Sequence, residues 1–304
     1  MRPTPLLTAL CTLCLLVGCA TTSSPTTTAA PTSAPAAPAA FQVKRSGKGR
    51  PVLFIPGLAS SGAVWDETVA HLKGGYDSHV FTLAGFAGQP AVPAPFFPTM
   101  RTALIAYIRE HKLDKPIIVG HSLGGVLALS LAAEAPDLVG GLFIVDSVPF
   151  LPALMYPGAT VETARPFAEQ GLALMRQQTL EQRTQASRQA MRIYATDEAR
   201  QEVGVRWGVD SDVETVAQAV YEMSTTDLRP ELPRITAPTF VFGTWAALKD
   251  RVPRENIEAL YRGQYQGLST ARLVMHDTAR HFIMWDDPEG FFTTLDGFLN
   301  EHAR

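Results

Sequence analysis

Cysteine is missing from nearly the whole chain: of 304 residues only Cys11, Cys14 and Cys19 carry a thiol, and none follows. A disulfide framework, a cysteine nucleophile and a thiolate metal site are therefore excluded after Cys19. An excess of one charge is missing too. The 26 basic residues stand against 29 acidic ones, a formal net charge of −3, so no basic surface for nucleic acid is expected. No apolar run reaches the roughly 20 residues that a membrane-spanning helix needs. No dinucleotide fingerprint, no P-loop lysine and no His/Asp/Glu ladder at metal-ligand spacing is present. No internal repeat is apparent. These absences point to a cofactor-free protein whose chemistry must come from its own side chains.

The first forty residues differ from the rest. Arg2 is their one charge, and Leu6 to Val17 is apolar apart from threonine and cysteine. Such a run is too short to span a bilayer and reads as a signal-peptide core over residues 1–18. Leu16-Val17-Gly18-Cys19 resembles the lipobox of bacterial lipoproteins. The resemblance implies that Cys19 is lipidated, becomes the new N-terminus and anchors the protein to a membrane. Ala20, where an aspartate would be the familiar inner-membrane retention signal, favours the outer membrane. Residues 20–40 contain only Ala, Thr, Ser and Pro. With nothing large and apolar to bury, residues 19–40 are expected to be an extended tether.

From residue 41 on, short aliphatic runs alternate with helical patterns. Strands are predicted at Pro51–Ile55, His79–Leu83, Pro116–Val119, Leu142–Val145, Thr239–Phe242 and Ala271–Met275. Several are continuously apolar, as strands buried on both faces of a mostly parallel sheet are. Helices are predicted at Thr99–His111, Ser122–Ala135 and Pro288–His302. Residues 148–228 hold no convincing strand and are too long for a loop. Helix formers at Phe167–Arg192 and Val213–Met223 mark this interval as a helical cap inserted in a doubly wound α/β domain of residues 41–304. Cap residues Met155, Tyr156, Phe167, Met175, Tyr194, Trp207, Tyr221 and Met223 either line a pocket or bury the cap against the body.

The strand Ile117-Ile118-Val119 runs into Gly120-His121-Ser122-Leu123-Gly124 and then a helix. This is the G-x-S-x-G nucleophile elbow in the strand–turn–helix context it requires. Side chains two residues either side of the serine would collide with neighbouring backbone, and the helix N-terminus behind it favours developing negative charge. On these residues the body resembles an α/β-hydrolase with a cap. Pro56-Gly57-Leu58 stands where that family usually has His-Gly-x, and Gly57 retains the freedom to take unusual dihedrals. The resemblance implies that the N–H groups of Leu58 and Leu123 form the oxyanion hole. Ala279-Arg280-His281-Phe282 resembles the segment that carries the family's catalytic histidine, which makes His281 the candidate base and His276 its structural rival. Asp286-Asp287 reads as a solvated acidic turn.

The acid of the triad is open between two residues. After the strand Thr239–Phe242 the family places an aspartate where this sequence has Ala246, and Asp250 lies four residues further on. Asp146 ends the preceding strand and is the alternative; Asp250 is preferred. A serine hydrolase that cleaves a small, ester-like substrate through an acyl-enzyme is the expected function. The rival expectation is a non-catalytic surface lipoprotein that uses a hydrolase-like pocket for binding, supported by Pro56 and the displaced acid.

Overall fold

The computed structural model describes residues 39–302. The expected signal peptide, Cys19 and the tether up to residue 38 lie outside the described residues. Seven strands form one sheet: β1 (Phe41–Ser46), β2 (Pro51–Ile55), β3 (Asp77–Leu83), β4 (Ile117–His121), β5 (Gly141–Val145), β6 (Thr239–Thr244) and β7 (Ala271–His276). Their order is β1-β3-β2-β4-β5-β6-β7, with β1 antiparallel to β3 and every other pair parallel. Strands β4, β5 and β6 are buried along their whole length. Their apolar runs are continuous because both faces of the sheet are covered. β1 has no such run. Only Phe41 and Val43 pack against the core while Lys44 and Arg45 face solvent, which is how a sheet edge avoids pairing with a second chain.

Eleven α helices are found among the described residues. Before the sheet's midpoint come α1 (Asp66–His71), α2 (Phe96–Glu110) and α3 (Leu123–Glu134). Between β5 and β6 the chain runs through α4 (Pro152–Met155), α5 (Val161–Arg176), α6 (Leu180–Tyr194), α7 (Glu198–Asp210) and α8 (Val213–Thr225), with no strand. Helices α9 (Arg254–Gln264), α10 (Ile283–Asp286) and α11 (Pro288–Glu301) complete the fold. One face of the sheet packs on α2, α3, α8 and α9 through Met100, Leu127, Ala219 and Ile257. The other packs on α1, α10 and α11 around Trp65, Phe143, Phe291 and Leu295. No described helix is long and apolar enough to cross a membrane.

Parallel strands all end at one edge, so the residues that follow β2, β4, β5, β6 and β7 meet there. Those are Pro56-Gly57-Leu58, Ser122, Asp146, Trp245 and the 277–282 segment.

Candidate active site

Ser122 stands alone between β4 and α3 with φ 53° and ψ −120°. That conformation is sparsely populated by L-residues and costs on the order of 1–3 kcal/mol. It persists because the surroundings over-determine it. The Ser122 N–H donates to Val145 O at 2.9 Å, the Gly125 N–H donates to Ser122 O at 2.8 Å, and Ser147 Oγ donates to the same oxygen at 2.7 Å. A Cβ on Gly124 would lie 2.3 Å from Ile55 O, one on Gly120 2.5 Å from Gly124 O, and one on Gly125 2.6 Å from Ser147 Cβ. Lack of space therefore dictates all three glycines of the turn.

The Pro56-Gly57-Leu58 turn lies against it. A Cβ on Gly57 would sit 3.0 Å from His121 Nδ1 and 3.2 Å from Ser122 Cβ. Its φ lies outside the left-handed region. The glycine is thus required for close approach to the serine, and not for the unusual dihedrals expected from the sequence; the left-handed residue is Ala59, φ 52°. Ser60 Oγ donates to Leu58 O at 3.1 Å and the Ser60 N–H to Gly57 O at 3.3 Å, so both carbonyls are turned into the loop. Leu123 is the first residue of α3, where the N–H groups have no intrahelical partner.

His281 lies in the segment between β7 and α10. Its Nδ1 is 2.6 Å from Asp146 Oδ2. Asp146 follows β5 directly, and its φ of 44° turns the carboxylate across the strand ends. Aspartate is among the few residues that tolerate such a backbone. The other oxygen, Oδ1, accepts from Thr244 N at 3.1 Å and from Tyr261 Oη at 2.5 Å. Burial first, then the Asp146 carboxylate, push the Tyr261 phenol well above its ordinary value, so it remains a donor. Thr244 Oγ1 donates to Ala279 O, which ties the end of β6 to the histidine segment.

His121 is buried beneath the pair. Its Nε2 donates to the main-chain oxygen of His281 at 3.1 Å, and the two imidazole centroids are 4.5 Å apart. Its Nδ1 is a buried acceptor with no partner among the described residues. Burial, then the His281 imidazole, hold its pKa well below the ordinary histidine value. It is a neutral structural support for the segment that carries His281.

Two sequence expectations need correction. Asp250 is exposed in the turn after the 3-10 helix Ala246–Leu248 and makes no hydrogen bond or ion pair with His281. The chain leaving β6 winds outward before Asp250 is reached, and the imidazole nitrogen it would serve is occupied by Asp146. Nor is Asp286-Asp287 a solvated turn. Asp286 accepts from Thr196 N, Thr196 Oγ1 and Arg280 N at 2.8, 2.8 and 2.9 Å. Asp287 caps α11 through Gly290 N and pairs with His276 Nε2 at 2.8 Å. His276, whose Nδ1 accepts from the Thr278 and Ala279 N–H groups, has both nitrogens committed.

Thr244 and Tyr261 carried no local signal, since the tertiary fold alone brings them to Asp146. Among the cap residues, Met155, Tyr156 and Phe167 are exposed. Trp207 packs on Trp285 at 5.6 Å between centroids, and Tyr194 lies 4.8 Å from the His281 ring. No group of three or more His, Cys, Asp or Glu residues among the described residues is placed to hold a metal ion.

The sequence profile of the alpha/beta hydrolase family matches residues 52–294. Pimeloyl-(acyl-carrier protein) methyl ester esterase of Aeromonas hydrophila is 27% identical over 266 residues, which span 84% of this chain and 98% of that protein. N-formylmaleamate deformylase of Pseudomonas putida is 24% identical over 265 residues, 85% of this chain and 91% of its own. Among solved structures, an esterase from Exiguobacterium antarcticum shares the fold with a TM-score of 0.72 at 21% identity, covering 86% of this chain and 95% of that one.

Proposed function

Because the chain belongs to the alpha/beta hydrolase family, we propose that it hydrolyses a small ester through an acyl-enzyme formed on Ser122, with His281 as general base and Asp146 as the acid that orients it. The observation that carries this reading is the 2.6 Å contact of His281 Nδ1 with Asp146 Oδ2 at the sheet edge that presents Ser122. Asp146 fixes the tautomer with its proton on Nδ1, which leaves Nε2 unprotonated and able to accept.

In the first half-reaction Ser122 Oγ bonds to the carbonyl carbon while His281 Nε2 takes its proton. The carbonyl oxygen becomes an oxyanion that the Leu58 and Leu123 N–H groups stabilise. Collapse breaks the ester C–O bond, and His281 returns the proton to the departing alkoxide. Water then repeats the sequence on the acyl-enzyme and restores Ser122. Relatives act on a methyl ester and on an N-formyl amide by name; a carboxylic ester is the substrate class proposed for this chain. The non-catalytic reading loses half of its support once an acid stands beside His281. Cys19, read as the lipid attachment site, would hold this activity at a membrane of the cell envelope.

A fluorophosphonate probe tests the reading. The wild-type chain is expected to be labelled and Ser122→Ala not, with p-nitrophenyl ester hydrolysis lost in parallel. Absence of labelling in a correctly folded wild-type protein overturns it.

A further inference from the structure

His281 sits in a segment with no regular secondary structure, and both the body and the cap bind that segment. The body of the fold holds groups of both kinds: Thr244 Oγ1 donates to Ala279 O, His121 Nε2 donates to His281 O, and the Thr278 and Ala279 N–H groups donate to His276 Nδ1. The cap reaches the same segment from its other side. Phe282 N donates to Tyr194 O at 3.0 Å. Asp286 at the end of α10 bridges the two: its Oδ2 accepts from Arg280 N, while its Oδ1 accepts from both the N–H and the hydroxyl of Thr196 in the cap. Arg280 Nη1 reaches the Arg192 and Ala195 carbonyls at 2.5 and 3.2 Å. The Tyr194 ring lies 4.8 Å from the imidazole centroid and is inclined to it by 47°. Residues 192–196, where α6 passes into α7, thus grip the chain on both sides of His281. Arg200 on α7 extends the tie to Trp285 O at 2.9 Å.

We propose that this α6–α7 junction is a positioning element of the catalytic base, with Asp286 and Tyr194 as its two positioning residues. The proposal rests on the reading of His281 as base. The body fixes where the histidine segment begins and ends; the cap sets the angle at which the imidazole meets Ser122. A base misplaced by even about 1 Å can lose about two orders of magnitude in rate, so a few hydrogen bonds from the cap are enough to govern turnover. Cap and base then move as one unit, and any displacement of the junction displaces His281.

The test uses the full chain, a p-nitrophenyl ester and fluorophosphonate titration of Ser122. Asp286→Ala cuts the Thr196 and Arg280 ties together, and Tyr194→Ala removes the ring. Each is expected to lower kcat per titrated serine about 10- to 100-fold, with KM changed by less than about threefold. Labelling should still reach completion, only more slowly. Tyr194→Phe, which keeps the ring, should rescue most of the loss. If Asp286→Ala does not fold, Asp286→Asn serves, because it keeps the acceptor for Thr196 and turns an N–H₂ towards the Arg280 N–H. A merely structural role would lower the titratable fraction and leave kcat per titrated serine as in wild type; that result in both Asp286 and Tyr194 variants overturns the proposal. Ser122→Ala separates the two levels. Retained hydrolysis in that variant removes the base reading and the positioning with it, whereas an inactive Ser122→Ala beside fully active Asp286 and Tyr194 variants removes the positioning alone.

Discussion

Three donors converge on Asp146: His281 Nδ1, the Thr244 N–H and the Tyr261 hydroxyl. A carboxylate so held has one orientation, and that orientation selects the imidazole tautomer. Asp146→Asn offers an N–H₂ where His281 needs an acceptor, so kcat is expected to fall by about three to four orders of magnitude. Asp250→Asn should stay within about twofold of wild type, and steady-state hydrolysis of one ester by both variants checks the pair. His121 yields a prediction of a different kind. Its folded pKa is depressed, by burial first and then by His281, below the 6.5 of an unperturbed histidine. The unfolded chain therefore takes up a proton below pH 6.5 that the folded chain refuses. Stability is whole above that pH and declines as pH falls, by about 1.4 kcal/mol per pH unit for one proton. Urea unfolding of wild type and His121→Gln between pH 7 and 5 should show the steeper decline in wild type. Equal slopes would remove His121 from the account; the slope left in the variant is expected to include His79, which burial also depresses.

At the scale of the element, α8 is tied to the start of α2 by one carboxylate. Glu222 on α8 is buried and accepts from the Phe96 and Phe97 N–H groups at 2.8 and 2.7 Å, which are the first two residues of α2. A carboxylate there also meets the positive end of the helix dipole. Glu222→Ala orphans two buried donors and is expected to cost about 2–4 kcal/mol, read from the urea midpoint. Helix starts inside the cap carry a local signal. The predicted helix Phe167–Arg192 is two helices broken at residues 177–179, and both start with reciprocal caps, Thr160 with Thr163 and Thr179 with Gln182. The T-x-x-Q pattern at Thr179 is a start signal. Elsewhere the patterns served well: Pro51–Ile55 is β2, and Thr239–Phe242 and Ala271–Met275 fall inside β6 and β7. β1 escaped because an edge strand with one buried face has no apolar run to betray it.

At the scale of the whole molecule, the lipid anchor proposed at Cys19 is tested separately from the hydrolase activity. Cys19→Ser is expected to move the protein from the membrane fraction to the soluble one and to abolish incorporation of labelled palmitate, while ester hydrolysis in the soluble fraction persists. Membrane retention of the variant would show that Cys19 is not the attachment point.

The amino-acid sequence by itself determined the strand–helix alternation and the glycines around Ser122, because both depend on patterns only a few residues long. Continuous apolar runs can be buried only in a covered sheet, and a turn as tight as the one at Ser122 leaves no room for a Cβ at Gly120 or Gly124. Which carboxylate stands beside His281 was decided by the tertiary structure alone. Asp146 and Asp250 are both plausible by position in the chain, and they differ in where the backbone carries them. The left-handed step after β5 turns one inward across the strand ends, and the 3-10 turn after β6 carries the other out to solvent. The same holds for Thr244, Tyr261 and the cap junction at Tyr194. Each reaches the site through contacts between residues distant in sequence, and no local pattern records such contacts.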